Sequence, residues 1–144
     1  MSDAERTARA CADAMWANDK ASQALGIAIE EIAPGRATLS MDVQAHMVNG
    51  HDLCHGGYIF TLADSTFAFA CNTYDVVTVA QHCEVTFLNA GKRGDRLTAV
   101  AQERSRKGRS GIYDVRVTAG DTVIAEFRGH SRVIPGTWLP AHDQ

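Results

Sequence analysis

Between Asn49 and Asn72 the chain reads NGHDLCHGGYIFTLADSTFAFACN, and one carboxylate, Asp64, stands in a segment that otherwise looks like protein interior. An isolated ionised carboxylate is costly to bury. Asp64 therefore either lies on a polar sliver of a helix, beside Thr61, Ser65 and Thr66, or has chemistry to perform. Upstream, His55-Gly56-Gly57 opens the same helix. Such an opening can be a sharp loop-to-helix turn and nothing more. It can also present free backbone N–H groups and a positive dipole end to an anion or a developing oxyanion, with glycine letting a substrate approach the backbone. Amide donors and a carboxylate are the two parts a thioester hydrolase needs, one to stabilise the tetrahedral oxyanion and one to attack or to activate water. Eight residues of helix separate Gly56 from Asp64 by about 12 Å along the axis, too far to share one reacting carbonyl. If both serve one site, they come from different subunits.

Other reactive residues form weaker constellations. His51, Cys54 and His55 have ligand types suited to zinc, but no second ligand group stands at useful spacing, so no metal site is expected. Cys54 and His55 are adjacent, and neighbouring side chains rarely face each other as nucleophile and base. The run RSRKGRSG places Arg104, Arg106, Lys107 and Arg109 around a turn. It reads either as a solvated hairpin end or as a site where these cations and the amides near Ser110 and Gly111 hold the phosphates of a ligand, with Lys92 and Arg93 as further candidates.

The elements that must position these residues follow from periodicity. Ser2 or Asp3 can cap a first helix, over about 3–18, whose apolar stripe is Ala8, Cys11, Ala12, Met15 and Trp16. A short helical piece ends at Gly26, and GIAIEEIA and RATLSMDV flank Pro34-Gly35 as a hairpin. From His55 to Cys71 apolar residues occupy every face of a helix, so that helix must be wrapped. Four strand-like runs follow, at 76–90, 95–106, 110–119 and 122–133, and read as an antiparallel meander. The expected class is α+β, one long antiparallel sheet curled around a buried helix, with a loosely ordered tail over about 135–144.

Composition narrows the classes. With 144 residues, 45% of them hydrophobic and 22% charged, and a net charge of −3, the chain reads as one domain without a general polyanion-binding surface. No apolar run is long enough to span a bilayer. The four cysteines are widely spread and the opening MSDAERTARA has no apolar signal-like core, which points to reduced thiols in cytoplasm.

The segments AMWANDKASQALGI, MVNGHDLCHGGYIFTLADSTFAFACN, IYDVRV and AEFRGHSRV together resemble the PaaI-type hotdog thioesterases of phenylacetate degradation. The resemblance spans nearly everything between Met15 and Val133, and Asn-Gly-His, Cys-His-Gly-Gly and Leu-Ala-Asp occur at the family's spacing. It implies a hotdog fold, a dimer pairing two sheets edge to edge, a dimer of dimers, and acyl-coenzyme A as substrate. It also implies roles: Asp64 as nucleophile or general base, Gly56 as the oxyanion-hole amide, Asn49 as the side chain positioning substrate or water, and His55 as the neighbour shaping that loop. Related hydroxybenzoyl-coenzyme A thioesterases can carry a glutamate at the acid position and a hydroxyl one turn later. Here those positions are Asp64 and Ala68, and Ser65 stands next to the acid as a substitute hydroxyl.

The expected function is hydrolysis of aryl-acetyl thioesters of coenzyme A, with the acyl part among apolar residues at a subunit interface and no cofactor. Two other functions are weighed. A hotdog hydratase or dehydratase needs an imidazole working with a carboxylate, and the helix opening lacks a Phe-Pro-Gly feature. A non-enzymatic acyl-coenzyme A sensor would need a DNA-binding region, for which fewer than thirty residues precede the first strand.

Overall fold

The computed structural model describes residues 1–141. Helix α1 (Asp3–Trp16) starts at Ser2, whose hydroxyl accepts from the Glu5 N–H while the Glu5 carboxylate answers the Ser2 N–H, a capping box. Helix α2 (Lys20–Ala24) is capped by Asp19. Strands β1 (Ala28–Ala33) and β2 (Arg36–Asp42) form the expected hairpin, with Gly35 at φ 69° in its two-residue turn, a conformation suited to glycine.

Helix α3 (Gly56–Cys71) lies in the hollow of a six-stranded antiparallel sheet completed by β3 (Thr78–Phe87), β4 (Arg96–Lys107), β5 (Ser110–Ala119) and β6 (Thr122–Val133). The core forms where Ile59, Leu62, Ala63, Phe67, Phe69 and Ala70 of α3 meet the inward residues of β2, β4, β5 and β6. Phe67 packs so closely over β6 that a methyl group at Gly129 would sit 2.8 Å from its ring. The class is α+β, as expected.

Three details differ from the sequence reading. The strand order is β1-β2-β4-β5-β6-β3, so only β4 to β6 form a meander. The connection from Phe87 to Arg96 is too long for a tight hairpin, and Cys54 N–H donates to the Gly91 carbonyl, carrying that connection beneath the start of α3 to a β4 that pairs with β2. Strand β3 is left pairing only β6, with its other edge open. Second, α3 is not enclosed on every face: Thr61, Asp64, Ser65 and Ala68 make a half-buried stripe at helical spacing. Third, the segment expected to be loose is tied down at Trp138 and Leu139, whose N–H groups donate to Asp75 at 2.8 and 2.9 Å, while the Trp138 indole donates to Asn72. Residues 142–144 lie outside the described residues.

Candidate active site

The loop before α3 organises itself through its own polar groups. The Asn49 Oδ1 accepts from the N–H groups of His51 (2.9 Å) and Leu53 (3.2 Å), and Asp52 takes a positive φ of 61° inside that turn. With its oxygen committed to the loop, Asn49 can offer only the Nδ2 donor to a ligand. His55 is the N-cap of α3, and its Nδ1 accepts from the Gly57 N–H at 2.9 Å. That bond fixes the neutral tautomer with its proton on Nε2. The Gly56 N–H makes no hydrogen bond among the described residues. The helix start therefore presents one uncommitted amide, at the positive end of a 16-residue helix. Against it lies Phe87, whose ring would be 2.9 Å from a methyl group at position 56. Asn49, Leu53, Gly56, Ile59, Phe87 and Leu88 line a groove of about 480 Å³ open to solvent.

Asp64 lies two turns further along α3, on the half-buried stripe. Burial pushes its carboxyl above the ordinary range, the charge of Asp19 pushes the same way, and the Cys83 thiol, 3.9 Å from Oδ1, opposes them. A raised carboxyl beside an open stripe is a stronger base than an ordinary carboxylate, which suits a group that takes a proton during a reaction. Ser65 points elsewhere. Its Oγ lies 2.8 Å from the Oγ of Ser22 in α2, and Ser22 donates to Asp19 at 2.7 Å.

The other reactive residues are disarmed or distant. Cys54 is buried, its thiol pushed up to about 11 by burial and by Asp95, so it is neither a ready nucleophile nor a ready ligand. No cluster of three metal-ligating side chains occurs among the described residues. In the basic turn, Arg106 stacks on Tyr74 at 3.6 Å, and both the Tyr74 and Tyr113 hydroxyls donate to Glu103. Lys107, Arg109 and Ser110 are exposed, and Arg132 of β6 pairs with Ser110 across the sheet. None of the cations Arg106, Lys107, Arg109 and Arg132 has a carboxylate within 4.0 Å among the described residues. Gly111 departs from expectation: it is buried between β4 and β6, where a methyl group would sit 2.6 Å from the Ser131 hydroxyl, and it presents no amide edge to a phosphate. Lys92 and Arg93 sit by the Gly56 end of the molecule, where Arg93 pairs with Asp52. Because β4 runs about 36 Å between the two turns, one chain cannot wrap both basic groups around one ligand.

The structure thus brings Asn49, His55 and Gly56 together and sets Asp64 apart from them on the same helix. Asp19 and Cys83, which face or touch the acid, and Ser22, which touches its neighbour Ser65, have no signal in the sequence.

Comparison with known proteins gives this arrangement a context. Residues 51–126 match the family model described as thioesterase superfamily. The acyl-coenzyme A thioesterase PaaI of Escherichia coli (strain K12) is 46% identical over 127 residues, covering 88% of this chain and 91% of that protein. The solved structure of the E. coli PaaI protein from the phenylacetic acid degradation operon superposes with a TM-score of 0.90 over 92% of this chain and 97% of that one, at 43% identity. A variant of the phenylacetic acid degradation protein PaaI from Thermus thermophilus superposes with a TM-score of 0.78 at 33% identity, covering 81% of this chain and all of that one.

Proposed function

Since this chain belongs to the thioesterase superfamily and is a PaaI-type acyl-coenzyme A thioesterase of hotdog fold, we propose that its substrates are phenylacetyl-coenzyme A or ring-modified forms of it, cleaved by Asp64 of one subunit against the Gly56 amide of another. The observation that carries this reading is the free edge of β3, which flanks both groups. Cys83 of β3 touches Asp64, and Phe87, four residues on, covers Gly56. Cys83, Val85 and Phe87 pair with the buried Gly129, Phe127 and Ala125, so all three face α3.

Two such edges paired antiparallel about a two-fold axis keep both helices on one side of a continuous sheet only if inward residues meet inward residues. A register that sets Val85 opposite its own copy meets that condition. It also sets Cys83 opposite the partner's Phe87, which brings Asp64 alongside the partner's Gly56. The 12 Å that separates the two groups along one helix, about the length of four strand residues, is then closed by the dimer. Such dimers can pair again into a tetramer.

In the composite site the thioester carbonyl oxygen points at the Gly56 N–H and the positive end of α3, which stabilise the charge that develops there. Asn49 Nδ2 donates to the substrate, and His55 holds the loop. Asp64 acts as general base: it takes a proton from water as the water oxygen bonds to the carbonyl carbon, and returns it to the departing coenzyme A sulfur as the C–S bond breaks. The apolar walls from Ile59, Phe87 and Leu88 suit an aromatic acyl group. The same register turns one chain's Lys107, Arg109 and Arg132 toward the side where the partner's Lys92 and Arg93 lie, so the two basic groups that are remote within one chain converge on one phosphate-bearing ligand. Arg106 adds charge from its perch on Tyr74, and Ser110 a hydroxyl. The reaction uses water and side chains alone and requires no cofactor, and the four free cysteines suit a reducing cytoplasm.

Thiol release measured across phenylacetyl, hydroxyphenylacetyl, benzoyl and straight-chain acyl-coenzyme A tests the substrate. The aryl-acetyl thioesters should have the highest kcat/KM. A preference of tenfold or more for straight chains would overturn the assignment.

A further inference from the structure

On the face of the sheet turned away from α3, two imidazoles stand side by side. His130 of β6 lies between Gly129 and Ser131, both buried, so its own side chain leaves on the opposite, outer face. A β-bulge sets its neighbour. Along β3, Ala80 pairs with Ser131 and His82 with His130, which leaves Gln81 as an extra residue on the bulged strand. Without that residue Gln81 would oppose His130, and His82 would turn inward over Gly129. With it, His82 and His130 are direct cross-strand partners on one face. Their ring centroids are 5.3 Å apart at an interplanar angle of 75°. Among the described residues the other histidine ring contacts, those of His46 and His55, are with Tyr58.

We propose that His82 and His130 form a site for a divalent late transition-metal ion, Zn²⁺, Ni²⁺ or Cu²⁺, which clamps β3 to β6. Two imidazoles sharing one tetrahedral ion through bonds of about 2.1 Å, with ring centres about 1.1 Å beyond the nitrogens, have those centres about 5.2 Å apart. The two rings therefore stand at the spacing of a chelate, and neutral imidazole suits these metals. No cluster of three ligand side chains is gathered among the described residues, so water fills the remaining positions. The charged neighbours on that face divide. Arg128 of β6 is compensated by Asp114 of β5, whose carboxylate accepts from it at 2.6 and 2.9 Å. Glu84, the next outward residue of β3, favours a cation, and Arg132, the next outward residue of β6, opposes one. From β5, the residue beside His130 is the uncharged Ile112. Cys83, between His82 and Glu84, faces α3, so the site lies across the sheet from the groups proposed for hydrolysis and both of its ligands come from one chain.

The test is calorimetric titration of the full, untagged chain with Zn²⁺, and separately with Ni²⁺, in the absence of coenzyme A. Each metal should bind at one site per chain. His82→Gln and His130→Gln should each weaken it at least tenfold, and the double variant should lose no more than the weaker single variant, because either change destroys the chelate. His46→Gln should bind as wild type does. Arg132→Ala, which removes the opposing charge, should tighten binding about threefold. Zn²⁺ should also perturb the imidazole NMR signals of His82 and His130 ahead of the other histidines. At a hundredfold excess over Kd it should raise Tm in wild type and in neither single variant. Absence of saturable binding up to about 1 mM metal, or binding that survives both His→Gln changes, overturns the proposal. So does a response of the two rings to inorganic phosphate at lower concentration than to Zn²⁺, which would make the pair part of an anion site with Arg132.

Discussion

The role proposed for Asp64 sets stability against function. Its folded carboxyl is raised above the ordinary value of 3.8 chiefly by burial, so between the unfolded and the folded value the native state binds more protons than the unfolded chain. The sign follows: this group's contribution is fully present below the unfolded value and is lost as pH rises through the folded one, leaving Asp64 a net cost at neutral pH. Asp64→Asn removes the charge while keeping the shape. It should lower turnover by more than about a hundredfold with KM little changed, and raise Tm by about 4 °C, the shift that corresponds to roughly 1 kcal/mol in a chain of this size. Thermal scans at pH 4 and pH 8 check the sign, because the gain should be smaller at pH 4, where the wild-type acid is closer to neutral. A variant that keeps a tenth of wild-type turnover, or loses stability at pH 8, contradicts this account. Asp64 and Gly56 stood out in the sequence as candidates because each is chemically odd for its place, an acid inside an apolar run and a glycine pair at a helix start. Ser22 and Cys83 were not. Each is an ordinary residue until folding sets it against the helix, and Ser22 meets Ser65 across 43 positions of chain.

Helix α3 was legible because a continuous apolar run bounded by His-Gly-Gly and Asn72 leaves few alternatives, and the β1–β2 hairpin because Pro-Gly fixes its turn. The order of the later strands was not, since alternation marks a strand without naming its neighbour. The loop that leads into α3 crosses the same ground as the chain between β3 and β4, and the pairing of Leu53 with Lys92 and of Cys54 with Gly91 is a long-range contact with no local signature. The consequence is a free β3 edge that is long for an unprotected strand and carries Val79 and Phe87 at 42% and 50% exposure. If that edge pairs with its own copy about Val85, then Val85→Cys should form an intersubunit disulfide under mild oxidation. In wild type the Cys83 thiols would stand about 13 Å apart along the strands and should not cross-link. Non-reducing electrophoresis reads the result. Efficient cross-linking through the native Cys83, with none through Val85→Cys, would move the two-fold axis by two residues and the register by four, and separate Asp64 from the partner's Gly56.

At the scale of the whole molecule, the basic groups and the groups proposed for catalysis bear on one question, whether two chains share a site. Arg109→Ala with Arg132→Ala should raise KM for a coenzyme A thioester about tenfold yet leave a truncated thioester without the nucleotide nearly unaffected, and added salt should mimic the first effect in part. Equal losses on both substrates would contradict a phosphate role. The groups proposed for catalysis allow a stricter test. Two variants, Asp64→Ala and Asn49→Ala, should each be inactive, the first for want of a base and the second because His51 and Leu53 lose the oxygen that shapes the loop beside Gly56. When they are mixed under conditions where subunits exchange, each mixed dimer holds one site with both lesions and one site with neither. Random reassortment makes half the dimers mixed, so about a quarter of wild-type activity should appear. If Asp64 and Asn49 served one site within one chain, every site would keep a lesion and mixing would restore nothing. Exchange is confirmed separately by mass spectrometry of tagged chains. With exchange complete and activity absent, the composite site would be wrong even if the dimer were right, because the pairing of edges and the sharing of sites are then distinct facts.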